Sequence, residues 1–279
     1  MSERKRIQTV GQRIGLEQAQ IARREMRRSP VEQHRLHVET ALRWTHAWGQ
    51  TTRKILLLVT GSSKSNYLAR LLDDGYMRCE KVLGRTFWAL NKSGVDLLRA
   101  MSPDGDAVAL LSGSRHINLH AFAHNQLAQL VIADKLHAGG DGCRWMSERE
   151  LRSSIKPSEP GSKVPDGAFV DHKGFTTYIE VERSRKVVHD LEAMLLNLSR
   201  LLESDSKSSC EIYIEPGIAE RYISTLKGWL RSQSFRAWSE SADGDLFLGG
   251  ENKGVYPMTA SLQNAMHRIT FIKTKVEAL

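Results

Sequence analysis

Residues 164–186, VPDGAFVDHKGFTTYIEVERSRK, hold four carboxylates, and three of them, Asp166, Glu180 and Glu182, are spaced to converge. Asp166 follows Pro165, and Glu180 and Glu182 come 14 and 16 positions later. In a strand, residues i and i+2 point to one face, so Glu180 and Glu182 project together. With Gly174 closing a hairpin, Asp166 lies on the neighbouring strand, on the same side. Two unit charges about 4 Å apart repel by roughly 4 kcal/mol at an effective dielectric near 20. A raised pKa or a hard divalent cation relieves such a cluster. The trio is therefore a candidate metal site.

Nearby residues extend it. Lys186 opens the helix that follows Glu180-Val181-Glu182 and can supply a cation there; a solvated helix start is the plainer role. Upstream, MSERELR at 146–152 adds Glu148 and Glu150. Ser147 and Glu150 match a capping box, a purely structural role, which Glu148 does not share. His116, His120 and His124 recur at i, i+4 and i+8. That spacing suits a metal stripe, but a polar helix face with one half-buried, hydrogen-bonded histidine is the commoner outcome. Tyr178, beside the acids, reads as a core tyrosine rather than a nucleophile. Cys79, Cys143 and Cys210 make neither a CxxC zinc pattern nor an even disulfide set, so they are expected to be reduced thiols in a cytoplasmic protein.

Composition narrows the partner. The 279 residues suffice for one large or two modest domains, and 41% hydrophobic content can fill real cores. Forty Lys+Arg against 32 Asp+Glu give a net charge of +8. That favours a polyanion, because neutralised phosphates release counterions. No apolar run approaches the ~18 residues of a membrane span, and the N-terminus is charged and lacks an apolar signal core. No membrane insertion is expected.

These residues need elements to position them. Residues 1–34 form a basic arm, with Arg4, Lys5, Arg6, Arg13, Arg23, Arg24, Arg27 and Arg28. Residues 35–100 form a first compact unit. Leu36, Thr40, Leu42 and Trp44 suit a helix, and TTRKILLL a second, with Thr51 as its cap. Gly61 breaks it, and SSKSNYLARLL restarts it with Tyr67, Leu68, Leu71 and Leu72 at helical spacing. MRCEKVL and TFWALNKSG read as two strands about a tip at Gly84-Arg85, and Val95, Leu97 and Leu98 begin another helix. Residues 101–115 read as a linker. Residues 116–137 read as a helix with one apolar side made by Leu119, Phe122, Ala123, Leu127, Leu130, Val131 and Leu136. A strand-to-helix junction at 145–151 follows, then strands near 164–171 and 175–183. An apolar helix at 186–203, a strand at 210–216 and a helix at 217–231 complete the order. FRAWSES and DGDLFLG are candidate late strands, and Trp229, Trp238, Phe247 and Phe271 point to a last region packed on the same unit. The expected class is α+β or α/β, with a mixed sheet flanked by helices.

The segment LARLLDDGYMRCEKVLGRTFWALNKSGVDLL resembles the winged helix-turn-helix family in order and spacing. The resemblance implies that Ser63, Lys64, Asn66 and Arg70 enter the DNA major groove, with Arg78, Lys81 and Arg85 on phosphates. Residues 116–232 resemble the PD-(D/E)xK nuclease superfamily, through Pro165-Asp166 and Glu180-Val181-Glu182. Glu182 stands where that family has a lysine. A restriction-endonuclease-like domain over 116–279, with a C-terminal extension, is then implied. The resemblance implies Asp166 and Glu180 as ligands of Mg2+ or Mn2+, Glu182 as a further ligand or a base for water, Glu148 as a further acid brought to the metal from an early element, and Lys186 as the replacement cation. The two halves together, with HINLHAFAHNQLAQL, SERELR, PDG and EVER, are similar to the replication-relaxation family, specifically the MobC-type relaxases of mobilisable plasmids. That resemblance spans residues 36–232. It implies binding of double-stranded DNA at a transfer origin, nicking of one strand, handling of the displaced single strand, and relaxosome accessory and coupling proteins as partners. No H-U-H motif is present. Two other readings stand: a non-catalytic DNA-binding accessory protein or repressor on a nuclease-like scaffold, and an endonuclease that cuts both strands.

Overall fold

The computed structural model describes residues 29–62, 66–82, 84–101, 119–154, 164–231, 234–236, 238–240, 246–248, 255–257 and 259–274. Most of the basic arm, the linker, Ser63 and Lys64 lie outside the described residues. The protein is mixed α+β.

Helix α1 (Pro30–Trp48) starts on a capping box. The Glu32 amide donates to Ser29 Oγ at 3.2 Å, and the Ser29 amide donates to the Glu32 carboxylate at 2.9 Å. Helix α2 (Arg53–Thr60) is capped by Thr52, whose side chain accepts from the Ile55 amide. The cap is thus one residue later than the sequence pattern placed it. Thr51 instead exchanges two 3.0 Å backbone hydrogen bonds with Trp88. Gly61 stops α2 in the left-handed region, at φ 62°, with its N–H on carbonyls of the last turn. Helix α3 (Asn66–Asp73) buries Tyr67, Leu68 and Leu71. Strands β1 (Met77–Val82) and β2 (Arg85–Leu90) form an antiparallel hairpin, with Met77 opposite Leu90 and Val82 opposite Arg85. Helix α4 (Lys92–Met101) follows. Its Gly94 presses on the Tyr76 carbonyl, where a Cβ would not fit.

The second part supplies the main sheet. Helix α5 (Leu119–Gly139) leads to β3 (Arg144–Ser147), α6 (Glu148–Ser154), β4 (Gly167–Val170), β5 (Thr176–Glu182), α7 (Val188–Glu203), β6 (Ser208–Ile214) and α8 (Pro216–Arg231). Short strands β7 (Ser234–Arg236), β8 (Trp238–Glu240), β9 (Leu246–Leu248) and β10 (Val255–Pro257) come next, pairing β7 with β10 and β8 with β9. Helix α9 (Ala260–Met266) and β11 (Ile269–Lys273) were not apparent in the sequence. β11 completes a five-stranded sheet of order β11-β6-β5-β4-β3. β5, β6 and β11 are parallel, whereas β3–β4 and β4–β5 are antiparallel.

Each face of the sheet has its own layer. Ile179 and Val181 of β5 share a core with Leu127, Ala128, Val131 and Ile132 of α5. The same core continues into Leu42 and Trp44 of α1 and Ile55 and Leu56 of α2. α5 is therefore covered on two sides, which is why its apolar residues spread beyond the single stripe expected of a surface helix. On the other face, Cys210, Ile212 and Ile214 pack with Leu191, Leu195 and Leu198 of α7, Tyr222 and Leu226 of α8, and Leu262 and Met266 of α9. Phe271 packs against this second core, and Trp229 lies within it. Arg268 places its guanidinium on the carbonyls of Leu202, Asp205 and Ser208, a cation at the C-terminal end of α7.

The N-terminal helices are tied to α5 and β3 by specific contacts. The fully buried Trp44 donates from Nε1 to Gln129 Oε1 at 2.9 Å, and Gln129 Nε2 donates to the Gln50 carbonyl at 2.9 Å. Trp44 lies 4.5 Å from the Trp145 ring, and Phe87 meets Phe122 edge-on at 4.2 Å. No helix among the described residues is long and apolar enough to cross a membrane. The three cysteines form no disulfide.

Candidate functional site

β5 sits in the middle of the sheet and ends in two acids. Strand alternation turns Ile179 and Val181 towards α5 and puts Tyr178, Glu180 and Glu182 in the α7–α8 layer. Glu180 is 0% exposed and Glu182 3%. Ionised carboxylates are not buried at such positions without compensation. For Glu182 the partner is Lys186, whose Nζ lies 2.9 Å from Oε1. Lys186 does not open the following helix as expected. It sits in the turn ahead of α7, whose N-cap is Val187.

Tyr222 of α8 holds that turn. Its hydroxyl donates to the Ser184 carbonyl at 3.2 Å and accepts from the Lys186 amide at 3.3 Å. Burial first, and then the charge of Glu182, push this phenol up to about 12. It therefore remains a neutral donor across the ordinary pH range. Nothing in the sequence marked Tyr222 except its place in the apolar stripe of α8. The turn is further braced by Arg183, which bonds Glu215 at 3.2 Å, and by the Glu215 amide, which donates to the Glu182 carbonyl at 3.1 Å.

Asp166 lies in the bend ahead of β4 rather than in the strand. Its Oδ2 accepts from the Val181 amide at 2.7 Å, continuing the β4–β5 ladder with a side chain in place of a carbonyl. Its Oδ1 is 2.9 Å from His124 Nε2 on α5. The carboxylate is therefore engaged by the β5 backbone through one oxygen and by α5 through the other. Gly167 permits this approach: a Cβ there would stand 2.6 Å from Ile132 Cδ1 and 3.0 Å from the Met146 carbonyl.

Of the helical histidines, His116 and the His120 side chain lie outside the described residues. His124 is half-buried and hydrogen-bonded, the arrangement its spacing favoured. Glu150 caps α6, its carboxylate accepting from the Ser147 amide at 2.8 Å. Glu148 donates its backbone N–H to the Asp166 carbonyl at 3.1 Å, but its side chain turns to Arg152, 2.6 Å away. Burial raises the Tyr178 phenol too, as suits a core tyrosine.

The donor chemistry of Asp166, Glu180 and Glu182 is all oxygen, the kind a hard divalent cation takes. Their arrangement is a different matter. Among the described residues, no group of three or more His, Cys, Asp or Glu side chains is disposed to hold a metal ion. Asp166 and Glu182 are met separately, by His124 and by Lys186.

On the N-terminal unit, Asn66 and Arg70 are exposed on α3, and Lys81 and Arg85 on the hairpin. Arg78 differs: it bonds Glu80 and the Leu90 carbonyl, both at 2.6 Å, so its guanidinium is engaged within the hairpin. The exposed pair Arg53 and Lys54 at the start of α2 was not singled out by the sequence pattern. Compared with protein-family models, with curated proteins and with solved structures, the chain matches none.

Proposed function

We propose that this chain binds double-stranded DNA through its N-terminal helices and hairpin and nicks one strand at the acidic end of β5, as a relaxase acting at a plasmid transfer origin does. The observation that carries the reading is Lys186 Nζ, 2.9 Å from the buried Glu182. A cation thereby stands beside the second acid of the ExE strand, compensating for the lysine that Glu182 replaces in the nuclease pattern. The element order supports the same reading. Three helices and a hairpin, with Thr51 bridged to Trp88, agree with a winged helix-turn-helix. A mixed sheet whose parallel strands β5 and β6 are joined through α7 agrees with a restriction-endonuclease-like core.

In this proposal Lys186 offers its charge to an oxygen of the scissile phosphate, and Glu182 orients that ammonium. Tyr222 holds the turn carrying Lys186, and His124 holds Asp166. Water adds to phosphorus as one P–O bond breaks, leaving a nicked strand. Mg2+ or Mn2+, held by Asp166 and Glu180 with Glu182 or Glu148, would polarise the phosphate and acidify water when bound. Its binding requires side chains to leave their present pairs.

That pairing favours a second reading, a non-catalytic DNA-binding accessory or repressor on the same scaffold. Incubating supercoiled transfer-origin plasmid with protein and Mg2+ or Mn2+ separates the two. Nicked circles that depend on the metal and vanish with Asp166→Asn support the relaxase. Linear product points to a double-strand endonuclease. Origin binding that ignores the metal and never yields a nick identifies the accessory protein.

A further inference from the structure

We infer that the groove along α2 is a binding site for a single, unpaired nucleic-acid strand. This deepens the proposed function and rests on it. The groove has a volume of about 660 Å3 and runs between α2 and the C-terminal end of α5. Its rim carries Arg53, Lys54 and His137, and among the described residues no carboxylate lines it. Its floor is Leu57 and Leu58, which are packed against the main core and so present a fixed apolar surface.

Charge selects a polyanion: Arg53 and Lys54 flank the groove on a chain of net charge +8. The leucine floor then selects its form. A duplex turns its charged backbone outwards and keeps its base faces stacked, leaving the floor nothing apolar to meet. An unpaired strand exposes both phosphates and base faces, so its phosphates meet the basic rim while its base faces lie on the leucines; positively charged grooves that track the backbone bind such strands with little sequence preference. Location agrees. The groove ends at Gly61 and Ser62, four positions ahead in the chain of Asn66, which opens α3, the helix proposed to read the duplex.

The test uses the full chain and a fluorescein-labelled oligothymidylate, with binding followed by anisotropy over a range of salt. The Lys54→Ala/His137→Ala protein should bind it about tenfold more weakly. The slope of log affinity against log salt should fall by roughly 0.7 for each phosphate that is no longer neutralised. Origin duplex binding should hold within about twofold. Lys227→Ala, on α8 across the sheet, should change neither. Unchanged oligothymidylate binding by the double variant overturns the inference. So does an equal weakening of duplex binding, which would make the groove a duplex-binding surface. Oligoglutamate binding with the same Lys54 and His137 dependence, in the absence of oligothymidylate binding, reassigns the groove to an acidic protein partner. Native protein that binds origin duplex but not oligothymidylate sinks this inference alone. Native protein that binds neither sinks the proposed function with it.

Discussion

Asp166 accepts from the Val181 amide through one oxygen and meets His124 through the other, so its structural and chemical roles can be separated by substitution. Asp166→Asn keeps an acceptor for the amide and should retain stability within about 1 kcal/mol. Asp166→Ala leaves a buried N–H without its partner and should lose about 1–3 kcal/mol in urea titrations. Both should abolish nicking if the proposed function holds. Tyr222 offers a pH-dependent test. Its phenol is raised from about 10 to about 12 in the folded protein. A raised acid contributes stability that is fully present below the unfolded value and lost as pH rises through the folded one. Tyr222→Phe, which keeps the buried ring, should flatten the fall in stability between about pH 10 and 12, as measured by denaturant midpoints. An unchanged alkaline slope would contradict the assignment. At this scale the sequence was a partial guide. The His124 spacing announced a hydrogen-bonded histidine, but not that Asp166 is its partner. Ser147 and Glu150 announced their capping box because both members lie within one turn.

Between elements, the approach of α5 to β4 depends on Gly167. Gly167→Ala would drive a methyl into Ile132 and the Met146 carbonyl. It should destabilise the protein by about 1–3 kcal/mol, as overpacking does, and displace Asp166 from His124. A thermal melt reads the first effect, and the His124 ring resonances in NMR spectra read the second. If Gly167→Ala matched the native protein in both, close packing at this point would be refuted. The β4–β5 hairpin was legible because its turn is local: Asp171 Oδ1 accepts from the Lys173 and Phe175 amides, and Gly174 takes φ 80°. The edge strand β11 was not legible. Ile269–Lys273 is short, and its partner β6 lies some sixty positions earlier, so no local pattern marks the pairing.

Across the whole molecule, α5 serves two neighbours: the N-terminal helices pack on one side of it and the sheet on the other, within one core. Gln129, 1% exposed, bonds both the Trp44 indole and the Gln50 carbonyl. The chain should therefore unfold in a single calorimetric transition. Gln129→Ala should lower stability by about 1–3 kcal/mol, because it strands buried polar groups at this joint. Two well-separated transitions in the native protein would contradict the shared core. By itself the sequence determined the elements with strong local signals: the capped helices, the glycine-tipped hairpins, the apolar helices, and the strand that bears Glu180 and Glu182 on one face. These follow from periodicities of two and 3.6 residues and from turn chemistry, all set by near neighbours. Only the tertiary structure decided how the charges are met. Asp166 found His124 on α5, and Tyr222 of α8 came to hold the turn in which Lys186 meets Glu182. Those outcomes depend on which side chains long-range packing brings within about 3 Å, and spacing along the chain carries no record of that.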